Sequence, residues 1–305
     1  MKVAIVGAPS SIGIRPDDAT GEPQHVDLAP STLRSLGVLD ALRAVDLGDV
    51  RPPDYRDFER PPDRPRNEPE VAAYSRSLGR SVQGAIEDDR FAVVIGGDCS
   101  IVLGCLLGAS PGGEPVGLVY VDAHADFATP EESQTGSVAS MALALAVGHG
   151  DSILARLRGR SPLVRGGDVT LVGRRDAEQP WYGHAALSES GILDLPDPSL
   201  ADRMIGATAD AVLGRVARSE LDGFFILVDC DVIDPAVVPA VGSPEPGGPS
   251  IDELSTFLRT LVDHPKARGI ALTLYDPSLD PARSSGKRLI RLLAGALSVE
   301  PAVTG

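Results

Sequence analysis

Residues 117–127 read GLVYVDAHADF, an apolar run that stops at three alternating polar residues, Asp122, His124 and Asp126. The run 117–121 does not alternate apolar with polar residues, so both its faces need cover, as in a parallel sheet held between helices. Five further runs repeat the pattern: 3–7 (VAIVG), 92–96 (AVVIG), 169–173 (VTLVG), 224–229 (FFILVD) and 269–274 (GIALTL). Helix signals fill the intervals. In 30–43, Pro30 suits a first turn, and Leu33, Leu36, Leu39 and Leu42 make one stripe. In 250–262, Ser250 and Glu253 form a capping box ahead of Leu254, Phe257, Leu258 and Leu261. Further helices are expected over 70–88, 100–108, 136–147, 200–218 and 284–296, with loops at 8–28 and 51–68. Strand–helix alternation of this kind predicts a doubly wound α/β architecture, and one domain over 1–305 is the simplest count.

Composition narrows the function. The 305 residues carry 43% hydrophobic and 23% charged side chains, as an ordinary globular protein does, and only 4% aromatics, so the core should be aliphatic. A formal net charge of −15 argues against nucleic acid and anionic membrane surfaces as partners, and leaves a small molecule as the expected one. No apolar run approaches the ~20 residues that span a bilayer. The opening MKVAIVGAPSS reads as a strand and turn rather than a signal peptide, so a cytoplasmic location is expected. Cys99, Cys105 and Cys230 form an odd, sparse set without a CxxC pair, hence free thiols rather than a disulfide framework.

Chemistry is concentrated where three apolar runs stop. One ends GGDC (96–99), the second is VYVDAHADF (119–127), and the third is ILVDCDVID (226–234). In an extended chain, residues i, i+2 and i+4 point to one side, so DxHxD and DxD each aim their oxygens and imidazole together. Ligands of a parallel sheet collect outside the carboxyl ends of its strands. Asp122, Asp126, Asp229 and Asp231 converging in one crevice cannot all stay ionised without cations among them. With His124 added, the set suits divalent metal, and bridging carboxylates suit a pair of ions.

GGDCS, DAHADFATPEESQTG and DCDVIDPAVVPAVGSPEPGG resemble the signature blocks of the arginase–agmatinase (ureohydrolase) family. GAPSSIG, APSTLRSLGVLDAL and YDPSLDP resemble it too, in order along nearly the whole chain. The resemblance implies a three-layer α/β/α sandwich with a mainly parallel central sheet and two divalent ions, usually Mn(II), that activate water for attack on a planar guanidinium carbon. Carried over by position, one ion would take Cys99, Asp122, Asp126 and Asp229. The other would take Asp122, His124, Asp229 and Asp231, with Asp122 and Asp229 bridging. Asp126 would also accept a hydrogen bond from the attacking water and is the catalytic residue implied. Asp234 is expected to be structural. Family members are commonly homo-oligomers, although no helix in this sequence forces one.

The chain departs from the family at telling places. Where the family has histidine it has Cys99, read either as a thiolate ligand, which favours Zn or Fe over Mn, or as a buried thiol. The family's DxxExNP glutamate, which pairs with the substrate guanidinium, becomes Leu274 in ALTLYDP. Its SGNxHG block becomes TGSVAS, with Ser137 for asparagine and Ala139 for the histidine credited with proton shuttling. Removing one partner of a buried charge pair costs roughly 3–5 kcal/mol. That exceeds a hundredfold in affinity, at ~1.4 kcal/mol per decade. Arginine and agmatine are therefore poor candidates. The expected reaction is hydrolysis of a C–N bond in a guanidino, N-hydroxyguanidino, amidine, formimino or amide group, and the groups without full cationic charge fit best. Asp176 and Glu178 in GRRDAEQ match acids that hold a substrate's amino group, or else are surface acids. Tyr275 is read as a donor to substrate or a core tyrosine. The leaving amine would draw its proton from Asp126 or from water at the rim. Two other readings stay open: a metal-binding protein without hydrolase activity, and a Lewis-acid cyclase or lyase.

Overall fold

The computed structural model describes residues 1–16, 21, 24–59, 63–159, 161–179, 184–198, 200–201 and 204–299. Among them eight strands form one sheet: β1 (Val3–Ala8), β2 (Val45–Asp49), β3 (Phe91–Gly96), β4 (Val116–Val121), β5 (Val169–Val172), β6 (Leu193–Leu195), β7 (Gly223–Asp229) and β8 (Ala267–Thr273). Every neighbouring pair is parallel, in the order β2-β1-β3-β8-β7-β4-β5-β6. The helices are α1 (Ala29–Ser35), α2 (Val38–Leu42), α3 (Glu68–Glu87), α4 (Ile101–Ala109), α5 (Ala142–Ala146), α6 (His184–Glu189), α7 (Ile205–Val216), α8 (Ile251–Val262) and α9 (Ser284–Ala296).

Consecutive strand residues enter opposite cores, which is why the apolar runs are unbroken. Val94, Tyr120, Leu227 and Ala271 pack with Leu78 and Val82 of α3 and Leu103 and Leu106 of α4. Their neighbours Val93, Val119, Ile226 and Ile270 pack with Val212 of α7, Leu258 of α8 and Leu293 of α9. The result is the expected three-layer α/β/α sandwich. Helices α3 and α4 meet backbone to backbone: a Cβ on Gly108 would lie 2.5 Å from the Gly79 carbonyl oxygen.

The helix expected over 30–43 is two, because Gly37 turns left-handed at φ 88° between α1 and α2. The helix expected over 136–147 is a 3-10 turn, Ala139–Met141, running into the short α5. The capping box of Ser250 and Glu253 is present at α8. Helix α7 begins at Ile205, and positions 202–203 of the expected 200–218 helix lie outside the described residues. Within the 8–28 loop, His25–Leu28 forms a 3-10 turn, and residues 17–20 and 22–23 lie outside the described set. Residues 60–62 of the 51–68 loop do too, but its described part is tied down. Asn67 Oδ1 accepts the backbone N–H groups of Arg56 and Asp57, each at 2.9 Å, and Asn67 Nδ2 donates to the Ile12 carbonyl at 2.9 Å.

The strand order fixes the site. β3, β8, β7 and β4 are adjacent at the sheet centre, with Ile95 level with Leu272, Asp229 with Thr273, and Val121 with Val228. The segments that follow these strands therefore open into one crevice. No described helix is long and apolar enough to cross a membrane.

Candidate metal centre

The GGDC turn after β3 is built by close approach. A Cβ on Gly97 would lie 2.0 Å from the Ser10 carbonyl oxygen, so only glycine fits there. Asp98 is fully buried and accepts the N–H groups of Gly13 at 3.1 Å and Ser100 at 2.9 Å, joining the β1 loop to the head of α4. That places Cys99, 2% exposed, on the floor of the crevice.

The acidic motifs converge, but not as extended strands. β4 ends at Val121 and β7 at Asp229. Beyond them the chain turns. Asp122 Oδ1 accepts the N–H of His124 at 2.7 Å, and Asp229 Oδ1 accepts that of Asp231 at 2.9 Å. Aspartate readily bonds to the backbone two residues on, and this Asx geometry replaces pleated alternation as the reason the side chains point together. Asp126 completes its turn with a left-handed φ of 46°.

The donor atoms fall into two groups that share Asp122. Single atoms of Cys99, Asp122 and Asp126 lie within 4.8 Å of one another, and so do single atoms of Asp122, His124 and Asp231. Asp229 joins the first group through a Cys99 Sγ–H bond to its Oδ2 at 2.7 Å, and Thr273 Oγ1 donates to the same oxygen at 3.1 Å. His124 Nδ1 lies 3.0 Å from Asp231 Oδ2 and 3.6 Å from Asp122 Oδ1, while its Nε2 faces Glu245 Oε1 at 3.6 Å. The hydroxyl of Tyr120 donates to Asp126 Oδ2 at 2.5 Å.

Electrostatics describe a pocket short of positive charge. Burial, then the charges of Asp231, Asp229 and Asp126, raise the Asp122 carboxyl well above the usual carboxylate range. Burial and Asp231 do the same to Asp229, and burial pushes Asp126 up to about 7. Burial, reinforced by Asp229, Asp126 and Asp122, raises the Cys99 thiol. Burial opposes protonation of His124, but Asp122 and Asp231 outweigh it and raise its pKa. Asp122 Oδ2 is buried without a hydrogen-bond partner, and buried carboxylate oxygens rarely go unpaired. An orphaned oxygen among crowded acids, an imidazole and a thiol is a donor set that fits divalent cations.

The ligand candidates line a cleft of about 380 Å³, and so do Ser137, Ala139 and Leu274. Ser137 Oγ accepts the N–H of Arg15 at 2.9 Å. Leu274 holds a left-handed φ of 58°, and its N–H donates to the Gly97 carbonyl at 2.9 Å. Such a backbone costs a leucine on the order of 1–3 kcal/mol. Asp176, Glu178 and Tyr275 do not line the cleft. Asp176 is fully buried, accepts the Ala125 N–H at 2.8 Å and pairs with Arg174 at 2.9 Å, so it holds the DAHAD turn from behind. Glu178 is exposed, and Tyr275 is buried with its hydroxyl donating to Asp280 Oδ2 at 2.9 Å. Asp234 accepts the Ala236 N–H at 2.8 Å.

Sequence reasoning missed Tyr120, Thr273 and Glu245, as well as Arg15, Gln24 and Ser243 on the cleft wall. For Tyr120 and Thr273 a signal existed: each is a hydroxyl in an otherwise apolar run. Arg15, Gln24 and Ser243 lie in loops with no periodicity to expose them.

Comparison with known proteins agrees with this fold. The family model described as Arginase family matches residues 1–297. The arginase of Bacillus subtilis (strain 168) is 28% identical over 304 residues, covering 97% of this chain and 97% of that protein. The native structure of the arginase from Bacillus caldovelox aligns with a TM-score of 0.84 at 27% identity, covering 99% of each chain. The formimidoylglutamase of Bacillus subtilis subsp. subtilis str. 168 shares the fold, with a TM-score of 0.71 at 19% identity over 98% of this chain and 87% of that one. From its first residues to the end of its last helix, the chain belongs to the arginase family.

Proposed function

We propose that this chain is a dinuclear, metal-dependent hydrolase that cleaves a C–N bond in a small neutral or weakly basic molecule. Cys99, Asp122, Asp126 and Asp229 would hold one ion, and Asp122, His124, Asp229 and Asp231 the other. Two divalent ions there supply a Lewis-acid pair that makes water nucleophilic near neutral pH and polarises the group under attack.

The observation that carries the reading is Leu274 on the cleft wall, beside the ligand cluster, where the resemblance puts the glutamate that pairs with guanidinium. An isobutyl group cannot neutralise a guanidinium taken out of water, whereas an amide or a deprotonated N-hydroxyguanidino group needs no counter-carboxylate. Asp126, on the cleft wall, is the residue assigned to take a proton from the attacking water and return it to the departing nitrogen. Tyr120 orients the Asp126 carboxylate by its hydrogen bond to Oδ2. Ser137, Ser243 and Gln24 offer neutral hydrogen bonds to the rest of the substrate.

The test is protein reloaded with Mn(II), assayed for release of ammonia, urea or amine from a panel of guanidines, N-hydroxyguanidines, formimino compounds, amides and lactams. Turnover of arginine at the pace of the amides would contradict the reading. Ala139, on the cleft wall where the family's proton-shuttling histidine would stand, favours a second reading, binding without hydrolysis. Bound ions with no product from any member of the panel would select it. A product that has gained no water would select the Lewis-acid cyclase or lyase.

A further inference from the structure

We infer that the two halves of this centre take different ions, a thiophilic one such as zinc beside Cys99 and an oxygen-and-nitrogen-preferring one such as manganese beside His124. The inference rests on the dinuclear reading above and adds a selectivity to it.

The two halves offer unlike donors. The Cys99 half joins one sulfur to the carboxylates of Asp122 and Asp126, and the His124 half joins an imidazole to those of Asp122 and Asp231. Sulfur selects softer ions, and carboxylate with imidazole accepts harder ones. The Cys99 half is also restricted in the number of atoms it can bring. Tyr120 occupies Asp126 Oδ2, leaving that carboxylate one oxygen, and Thr273 donates to the same Asp229 Oδ2 that the sulfur engages. Few donors, one of them sulfur, in a buried pocket suit the four-coordinate preference of zinc. His124 is 8% exposed against 2% for Cys99, so its half is the more open to further oxygen donors from solvent. On binding, the Cys99 thiol would give up to solvent the proton that it now donates to Asp229 Oδ2.

The test uses the full chain, stripped by dialysis against a chelator, reloaded with equimolar Zn(II) and Mn(II) each in excess over the sites, and freed of unbound metal. Elemental analysis should find one of each per chain. Titration with Co(II) should give a sulfur-to-cobalt charge-transfer band that saturates at one equivalent. Cys99→Ser should abolish the band, and Cys99→His should weaken zinc retention at least about tenfold against manganese competition. Two ions of one kind under this mixed supply, or no band in the unaltered protein, would overturn the inference whatever the variants do. A two-manganese protein that hydrolyses the panel would refute the selectivity and leave the function standing. A one-zinc, one-manganese protein that hydrolyses nothing would do the reverse.

Discussion

The Tyr120 hydroxyl reaches from the interior of β4 to Asp126 Oδ2 and closes a buried hydrogen bond of 2.5 Å. It ties a left-handed turn residue, Asp126, to the interior of a central strand. Tyr120→Phe removes the donor and leaves that oxygen buried and unpaired. The expected loss is roughly 1.5–3 kcal/mol of stability, as for hydrogen bonds to charged groups. Urea denaturation would measure it, and an unchanged midpoint would contradict it.

Leu274→Glu restores a carboxylate at the cleft wall. Guanidinium compounds such as agmatine should then bind at least about tenfold more tightly, a conservative share of the roughly 3–5 kcal/mol assigned to a missing charge partner. Competitive inhibition by guanidine against an amide substrate would read the change. Equal inhibition of both forms would show that position 274 does not govern charge selection.

Asp122 belongs to both groups of donor atoms. Asp122→Ala should therefore remove both ions together, whereas Asp231→Ala should spare the ion on the Cys99 side. Elemental analysis of the two variants checks this. Retention of full metal content by Asp122→Ala would refute the shared-ligand assignment.

Acidity should stabilise the protein in chelator. Asp126 sits at about 7, and Asp122 and Asp229 stand well above the ordinary carboxylate range. Groups whose folded pKa is raised bind protons more tightly folded than unfolded. Their contribution is complete below the unfolded value, ~3.9, and is lost as pH rises through the folded value. For Asp126 that window runs from about 4 to about 7. Thermal denaturation in chelator should show a melting temperature falling across this window. Excess Mn(II) should flatten the slope, because it binds the ionised forms. A rise with pH in chelator would count against the buried cluster.

Arg174 pairs with buried Asp176, which in turn holds the Ala125 N–H of the DAHAD turn. Arg174→Met leaves that carboxylate buried without its cation, at an expected cost of about 3–5 kcal/mol. Adding Asp176→Asn should recover part of the loss. A double-mutant cycle by denaturant unfolding checks the coupling.

How much of this was legible beforehand depends on where each residue sits. The six apolar runs all became strands, since a strand with both faces buried has to be apolar throughout. β2 (VDLGD) and β6 (LDL) escaped notice because they lie at the two sheet edges, where side chains meet water and carry charge. The clustering of Asp122, Asp126, Asp229 and Asp231 was legible because several aspartates at the ends of apolar runs have few structural uses. Its geometry was not, since DxHxD suggests a pleat and the chain makes Asx turns instead. Asp176 looked like a substrate acid by motif alone. Only the three-dimensional contacts reveal that Arg174 and the Ala125 N–H engage it. His149, assigned to no motif, stacks on Phe127 with ring centroids 5.4 Å apart.

The strand order sets a timetable for assembly. β8, the last strand in the sequence, is the wedge between β3 and β7, so a growing polypeptide holds two unjoined half-sheets until residues 267–273 leave the ribosome. Cys99 is on one half, while Asp122, His124, Asp126, Asp229 and Asp231 are on the other. A nascent chain can therefore bring Asp122, His124 and Asp231 together early, but the thiol meets its companions only once β8 has emerged.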